Sequence, residues 1–302
     1  MRVLVTGATG LIGSSVADAL LARGDEVVGL TRDPRRAKPD NPTVNWHAWQ
    51  PSEERPPPEA LAGVDAVVNL IGEEINQRLT EDAKRRIRAS RLASTRNLLQ
   101  GITAAEDRPR TFIGQSAVGY YGDRGEQILD EESQPGSGFA AELPVEWEAA
   151  QREAEAIGMR TVLLRSAPVL SKDGGLLKQL SLPFKLGLGG PIAGGDQYLP
   201  WIHIDDEVGL ILWALDSDSV SGVFNATSPT PVTNREFTKA LGQALNRPAV
   251  FPIPRFAVAL ARGRELAATV AGGQRVLPRR ATDLGYEFRH PELDEALSSA
   301  LR

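Results

Sequence analysis

Hydrophobic positions in the first two thirds of the chain alternate between short continuous runs and longer stretches with helical spacing. Val3-Leu4-Val5 is a β-branched run, and Leu11, Ile12, Val16, Ala19 and Leu20 then recur on one helical face until Gly24 stops the pattern. Val27-Val28-Gly29-Leu30-Thr31 is short enough for a strand buried on both faces, which closes a βαβ unit of about 30 residues. Further strands are expected at Val44 to Trp49, Ala66 to Leu70, Thr111 to Gly114 and Thr161 to Leu164, with helices from about Thr80 to Gln100 and Pro144 to Ile157 between them. Alternation of this kind predicts an α/β fold: a Rossmann-type, doubly wound parallel sheet with helices on both faces.

The pattern changes after Arg165. Gly174-Gly175, Gly187 to Gly190 and Gly194-Gly195 interrupt apolar pieces, Val223-Phe224-Asn225 reads as a last strand, and helical spacing returns at Asn234 to Leu245, Arg255 to Ala271 and Glu292 to Leu301. We therefore expect a dinucleotide-binding domain of residues 1–167 plus 201–226 and a smaller C-terminal substrate lobe of residues 168–200 plus 227–302. Pro51 to Pro58 and Asp107 to Arg110 read as surface loops, not as linkers between independent units.

Composition narrows the class. Of 302 residues 41% are apolar and 24% charged, with a formal charge of −5, which gives no basic surface for nucleic acid. There is no cysteine, so disulfides and thiolate chemistry are excluded and a cytoplasmic protein is expected. The N-terminus lacks an export signal, and no apolar run is long enough to span a membrane. The three histidines (His47, His203, His290) have no second ligand at turn or helical spacing, so no metal site is expected.

The strongest chemical signal is the turn Gly7-Ala8-Thr9-Gly10-Leu11-Ile12-Gly13. Glycines between a strand and a helix let a pyrophosphate approach backbone N–H groups and the positive end of the helix. An NAD-selective site places a carboxylate at the end of the second strand; here that position is Thr31, followed by Arg32, with Arg35 and Arg36 nearby, and guanidinium groups suit the 2′-phosphate of NADP. NADP is the expected cofactor. NAD stays open as the alternative because Asp33 lies just beyond, although that carboxylate could instead start the next turn.

With these residues the chain resembles the short-chain dehydrogenase/reductase superfamily, in its extended and atypical branch of NAD-dependent epimerase/dehydratase-like proteins. The resembling pieces are residues 6–13, DAVVNLIG (65–72), QSAVGYYG (115–122), Leu164-Arg165 and Trp201-Ile202-His203-Ile204-Asp205-Asp206. A narrower resemblance, nearly end to end, is to a group of sugar-nucleotide-epimerase-like proteins through Trp147-Glu148, PFKLGLGGPIAGGDQ (183–197) and Gln274 to Pro278. The resemblance implies that Asn69, Leu70, Ile71 and Gly72 pass beside the cofactor, that Ser116 stands near the reacting centre, that Pro168 and Val169 lie against the nicotinamide, and that Arg91 reaches a cofactor phosphate. Each has a structural alternative: Asn69 bridging strands, Gly72 permitting a turn, Ser116 capping a loop, and Arg91 belonging to a solvated basic face with Lys84, Arg85, Arg86 and Arg88.

The superfamily's acid–base pair, Tyr-x-x-x-Lys, is absent. The four tyrosines are followed at the fourth position by Arg124, Gly125, Ile202 and His290, and the resemblance puts Ala140 and Pro144 where the pair would stand. Tyr120 and Tyr121 remain as candidate proton donors, with packing or a substrate wall as the alternative. His203 with Asp205 suggests a dyad, but alternate residues of 201–206 would share a strand face, and the resemblance gives this segment to joining the lobes. The expected function is an NADP(H)-dependent oxidoreductase or nucleoside-sugar epimerase-like enzyme acting on a small carbonyl compound or a sugar nucleotide. The alternative is a non-catalytic NADP(H)-binding regulator or scaffold.

Overall fold

The structure is a computed structural model and describes residues 1–37 and 41–302. Seven strands form one parallel sheet: β1 (Arg2–Thr6), β2 (Glu26–Thr31), β3 (Asn45–Ala48), β4 (Ala66–Asn69), β5 (Thr111–Ala117), β6 (Arg160–Ser166) and β7 (Gly222–Ala226). Their spatial order is β3-β2-β1-β4-β5-β6-β7. The order reverses between β1 and β4, where Thr6 stands opposite Asn69, and ligands of open α/β sheets bind outside the strand ends at such a reversal.

The central strands read as unbroken apolar runs because both faces are covered. Helices α1 (Leu11–Ala22) and Ile204–Asp216 pack one face with Val3, Val5, Val68, Ile113 and Leu164. Helices Glu81–Ala104 and Phe139–Ala156 cover the other, over Leu4, Val67 and Phe112. A third apolar cluster, built on Leu177, Phe184, Trp201, Phe237 and Leu297, holds the C-terminal elements together. No helix among the described residues is long and apolar enough to cross a membrane.

Three elements differ from the sequence expectation. The expected helix over 255–271 is two, Arg255–Arg262 and Arg264–Ala271, broken at Gly263, whose φ of 95° no helix accommodates. In 201–206 only Ile202–His203 is strand; Ile204 begins a helix, because the His203 ring accepts the Asp205 N–H and Asp205, Asp206 and Glu207 place negative charge at the helix start. The helix expected from Pro144 starts at Phe139, with Pro144 inside it. Proline cannot donate to the Ala140 carbonyl, and that carbonyl instead lies against Gly119, where a Cβ would come within 2.8 Å of it.

Candidate cofactor and active site

The glycine turn is tight. Gly7 has φ 67° and a Cβ there would lie 2.9 Å from the Leu70 carbonyl, while a Cβ at Gly13 would lie 2.2 Å from the Gly7 carbonyl. Gly10 N–H donates to Gly7 O at 2.9 Å, and Gly10 caps α1 without any side-chain acceptor. Thr9 and Gly10 are exposed, Leu11 and Ile12 half-buried, so the start of the helix faces outward at the sheet reversal. The loop at Gly174 packs on Leu11, which brings the C-terminal part of the chain over this turn.

At the end of β2, Thr31 Oγ1 accepts the Asp33 N–H at 3.4 Å, and Asp33 in turn accepts the Arg35 N–H at 3.1 Å and pairs with Arg36 at 3.6 Å. The Asp33 carboxylate thus starts the short helix Pro34–Ala37. Arg32 is exposed, and its side chain has no partner among the described residues.

After β4 the side chains split. Asn69 is fully buried; its Oδ1 accepts from Thr6 Oγ1 at 2.8 Å, and its amide donates to Thr95 at 3.3 Å and Gln151 at 3.2 Å. Its side chain is therefore engaged in tying β1 and β4 to two helices. Leu70 and Ile71 are half-buried and Gly72 exposed. The Arg91 guanidinium lies beneath Gly72, where a Cβ would sit 2.9 Å from its Cζ; it also stacks 4.9 Å from the Trp147 ring centroid and donates to Glu73 O at 2.9 Å. Burial lowers its pKa to about 10, and no carboxylate pairs with it among the described residues. Of the rest of the basic cluster, Arg85 and Arg86 are exposed, whereas Arg88 forms a two-pronged pair with Glu146 at 2.7 and 2.8 Å and Lys84 reaches Glu265 at 2.6 Å.

The candidate catalytic residues also separate. Ser116 is buried and donates to Glu148 Oε1 at 2.7 Å. Tyr121 is fully buried; its hydroxyl donates to Asn225 Oδ1 at 2.6 Å and accepts from Arg165 at 3.0 Å, and burial pushes its pKa up to about 12. Both hydroxyls are engaged: Ser116, expected near the reacting centre, with Glu148, and Tyr121, a candidate proton donor, with Asn225 and Arg165. Tyr120 is half-buried, its ring centroid lies 3.4 Å from the Arg165 Cζ, and its hydroxyl has no partner among the described residues. Pro168 is exposed, whereas Val169 is buried in a two-residue strand paired with Ile202.

Sequence reasoning missed the group that organises this region. Glu148, 1% exposed, accepts from Arg165 Nε at 2.7 Å, Arg165 Nη2 at 3.0 Å and Arg152 at 3.1 Å as well as from Ser116. Burial alone would lower the Arg165 pKa, but the Glu148 hydrogen bonds override it and hold the guanidinium above its ordinary value. A charged residue inside the apolar run Val162 to Val169 was the available signal, since a buried charge requires a partner. Glu207 was missed too: it is fully buried, accepts from Ser166 Oγ at 2.6 Å and Gln115 at 3.4 Å, and burial pushes its carboxyl up to about 7.

The histidines depart from expectation as well. The His203 and His290 rings lie tilted with centroids 3.8 Å apart, and Asp205 joins them at 3.0 Å from His290 Nε2, so two histidines and a carboxylate far apart in sequence do meet. Their contacts are internal: His203 Nδ1 accepts the Asp205 N–H, and burial followed by the His290 charge lowers the His203 pKa to about 4. The neighbouring Asp206 accepts the backbone N–H groups of Arg289 at 2.7 Å and His290 at 3.0 Å, fastening the C-terminal segment to the helix start.

Comparison with known proteins agrees with this architecture. Residues 3–226 match the model of the NAD dependent epimerase/dehydratase family, and residues 253–300 match a domain of unknown function, DUF1731. An epimerase family protein of Mycobacterium bovis is 40% identical over 299 residues, covering 99% of this chain and 97% of its own. The human epimerase family protein SDR39U1 is 39% identical over 301 residues, covering 98% of each. A crystal structure of human SDR39U1 (isoform 2) with NADPH superposes with a TM-score of 0.89 at 37% identity, covering 100% of this chain and 99% of that one. The chain belongs to the NAD dependent epimerase/dehydratase family.

Proposed function

We propose that the chain binds NADP(H) along the carboxyl edge of the sheet and acts in the cytoplasm as an oxidoreductase or epimerase-like enzyme on a small carbonyl-bearing substrate. In this reading residues 1–167 plus 201–226 carry the cofactor, and 168–200 plus 227–302 hold the substrate. The observation that carries it is the pairing of a cradle that Cβ atoms at Gly7 and Gly13 would fill with a helix start that no side chain caps and with Arg32 and Arg91, neither of which has a carboxylate partner among the described residues. The residues fit a dinucleotide: backbone N–H groups of the first turn of α1 would receive the pyrophosphate, the Arg32 guanidinium the 2′-phosphate, and Arg91 a phosphate or ribose oxygen. Asp33 caps the short helix through one carboxylate oxygen, while Arg32 stands next to the strand end with a guanidinium suited to a 2′-phosphate, which favours NADP over NAD. The structure of human SDR39U1 was obtained with NADPH, in agreement.

A bound nicotinamide would supply a hydride to a carbonyl carbon or take one from the corresponding hydroxyl-bearing carbon. The proton belongs to this chain's own residues, and of the neighbours Tyr120 and Tyr121 it is Tyr120 whose hydroxyl has no partner among the described residues; Arg165, itself held by Glu148, fixes its ring. A second reading, a cofactor-binding regulator without turnover, draws on Ala140 and Pro144 standing where the family's resemblance would put tyrosine and lysine. Incubation with NADPH and a panel of carbonyl compounds and sugar nucleotides, following absorbance and epimer ratio, separates the two. Turnover reduced by about 10²-fold or more in Tyr120→Phe is expected. Cofactor binding with no turnover across the panel would establish the regulator instead.

A further inference from the structure

The helix Arg255–Arg262 is amphipathic, yet its apolar face is uncovered: Phe256 is 74% and Leu260 80% exposed. Both line a cleft of about 740 Å³ whose other walls include Arg78, Leu79, Arg264 and Leu266. Soluble domains rarely leave two large apolar side chains one helical turn apart in water without a ligand for them. The charge in the cleft is one-sided. Glu265, its carboxylate, is matched by Lys84 at 2.6 Å, whereas the guanidinium groups of Arg78 and Arg264 have no partner among the described residues.

The chain links both walls of the cleft to elements near the proposed reacting centre. The 78–80 wall continues the loop that leaves Gly72 over Arg91. The segment after Arg264–Ala271 ends at Gln274, whose amide donates to the Val118 and Gly122 carbonyls at 3.0 Å each, on either side of Tyr120. Gly263, with the Arg78 stem against it, divides the two helices at the cleft.

Resting on the function proposed above, we infer that this cleft is the substrate end of the site and takes a small amphipathic anion: a carbonyl compound with a hydrophobic body and a carboxylate or phosphate held by Arg78 and Arg264. The Phe256, Leu260 and Leu266 wall favours a hydrophobic body over a sugar ring, whose hydroxyls would find polar partners only on the Arg78, Thr80, Arg264 and Glu265 side of the cleft. The full chain is titrated with 8-anilinonaphthalene-1-sulfonate, which carries one anionic group on an aromatic body. Saturable binding is expected, weakened about tenfold by Leu260→Ser, the loss of one buried leucine contact, and comparably by Arg78→Ala. Leu186→Ser, at an exposed leucine outside the cleft, leaves it unchanged. Decanoate competes and UDP-glucose does not. Undiminished binding in Leu260→Ser and Arg78→Ala, no binding at all, or displacement by UDP-glucose would overturn the assignment. So would a wild-type dimer that Leu260→Ser dissociates, which would give the face to a second copy. NADPH titration of Leu260→Ser keeps the two proposals apart: the cofactor affinity stays at the wild-type value if only the substrate assignment fails.

Discussion

Replacing Glu148 by Gln keeps the volume and removes one charge from a site with almost no access to water. Glu148 and Arg165 are 1% and 3% exposed, and Arg165 Nε and Nη2 both point at the carboxylate, at 2.7 and 3.0 Å. The amide of the variant accepts with one atom only and turns a donor toward a guanidinium, so Arg165 is left charged and half-satisfied among the rings of Tyr120 and Tyr121. Removing one partner of a buried pair costs about 3–5 kcal/mol, because the survivor's desolvation is no longer offset. For a chain of this size that lowers the thermal midpoint by roughly 5–8 °C. Urea denaturation followed by circular dichroism measures the free energy directly. The double variant Glu148→Leu with Arg165→Met should recover most of the loss, since no lone charge remains buried, giving a coupling of about 2 kcal/mol or more. A cost of Glu148→Gln below about 1 kcal/mol, or a double variant whose loss is the sum of those of Glu148→Leu and Arg165→Met measured singly, would refute the reasoning.

Two further outcomes follow from the same site. The Glu207 carboxyl is raised by burial from its ordinary value of 4.5 to about 7, so its folded state holds the proton more tightly than the unfolded one; its contribution is complete below pH 4.5 and is lost as pH rises through 7. Glu207→Gln, which stays neutral and can donate to the otherwise unpartnered Gln115 Oε1, should therefore stabilise the protein at pH 8 relative to wild type, with the difference shrinking toward pH 4; urea midpoints at both pH values check the sign. Gly13→Ala inserts a Cβ 2.2 Å from the Gly7 carbonyl and must displace the turn, so NADPH affinity measured by calorimetry should fall at least about tenfold.

The sheet was legible because burial on both faces leaves strands as unbroken apolar runs, and because the glycine spacing between Val5 and Leu11 has one structural use. The helix Gly175–Lys185 was hidden behind Gly174-Gly175 and Pro183, residues that ordinarily end helices. Within the site, spacing could not separate neighbours. Tyr120 and Tyr121 share one turn of 3-10 helix, yet one ring rests on Arg165 with a free hydroxyl and the other is sealed in the core. Asn69 carries the family's pattern at a strand end, but the alternation of strand side chains turns its amide inward to Thr6, Thr95 and Gln151. Glu148 and Arg165 lie on a helix and a strand, and pairs of that kind meet only through the tertiary fold.

Calorimetric titration of wild type and Arg32→Ala with NADPH and NADH tests the cofactor assignment most directly. The wild-type chain should bind NADPH at least about tenfold more tightly than NADH, and Arg32→Ala should erase most of that preference while leaving NADH affinity unchanged. Equal affinities in the wild type, or a preference that survives in Arg32→Ala, would contradict it.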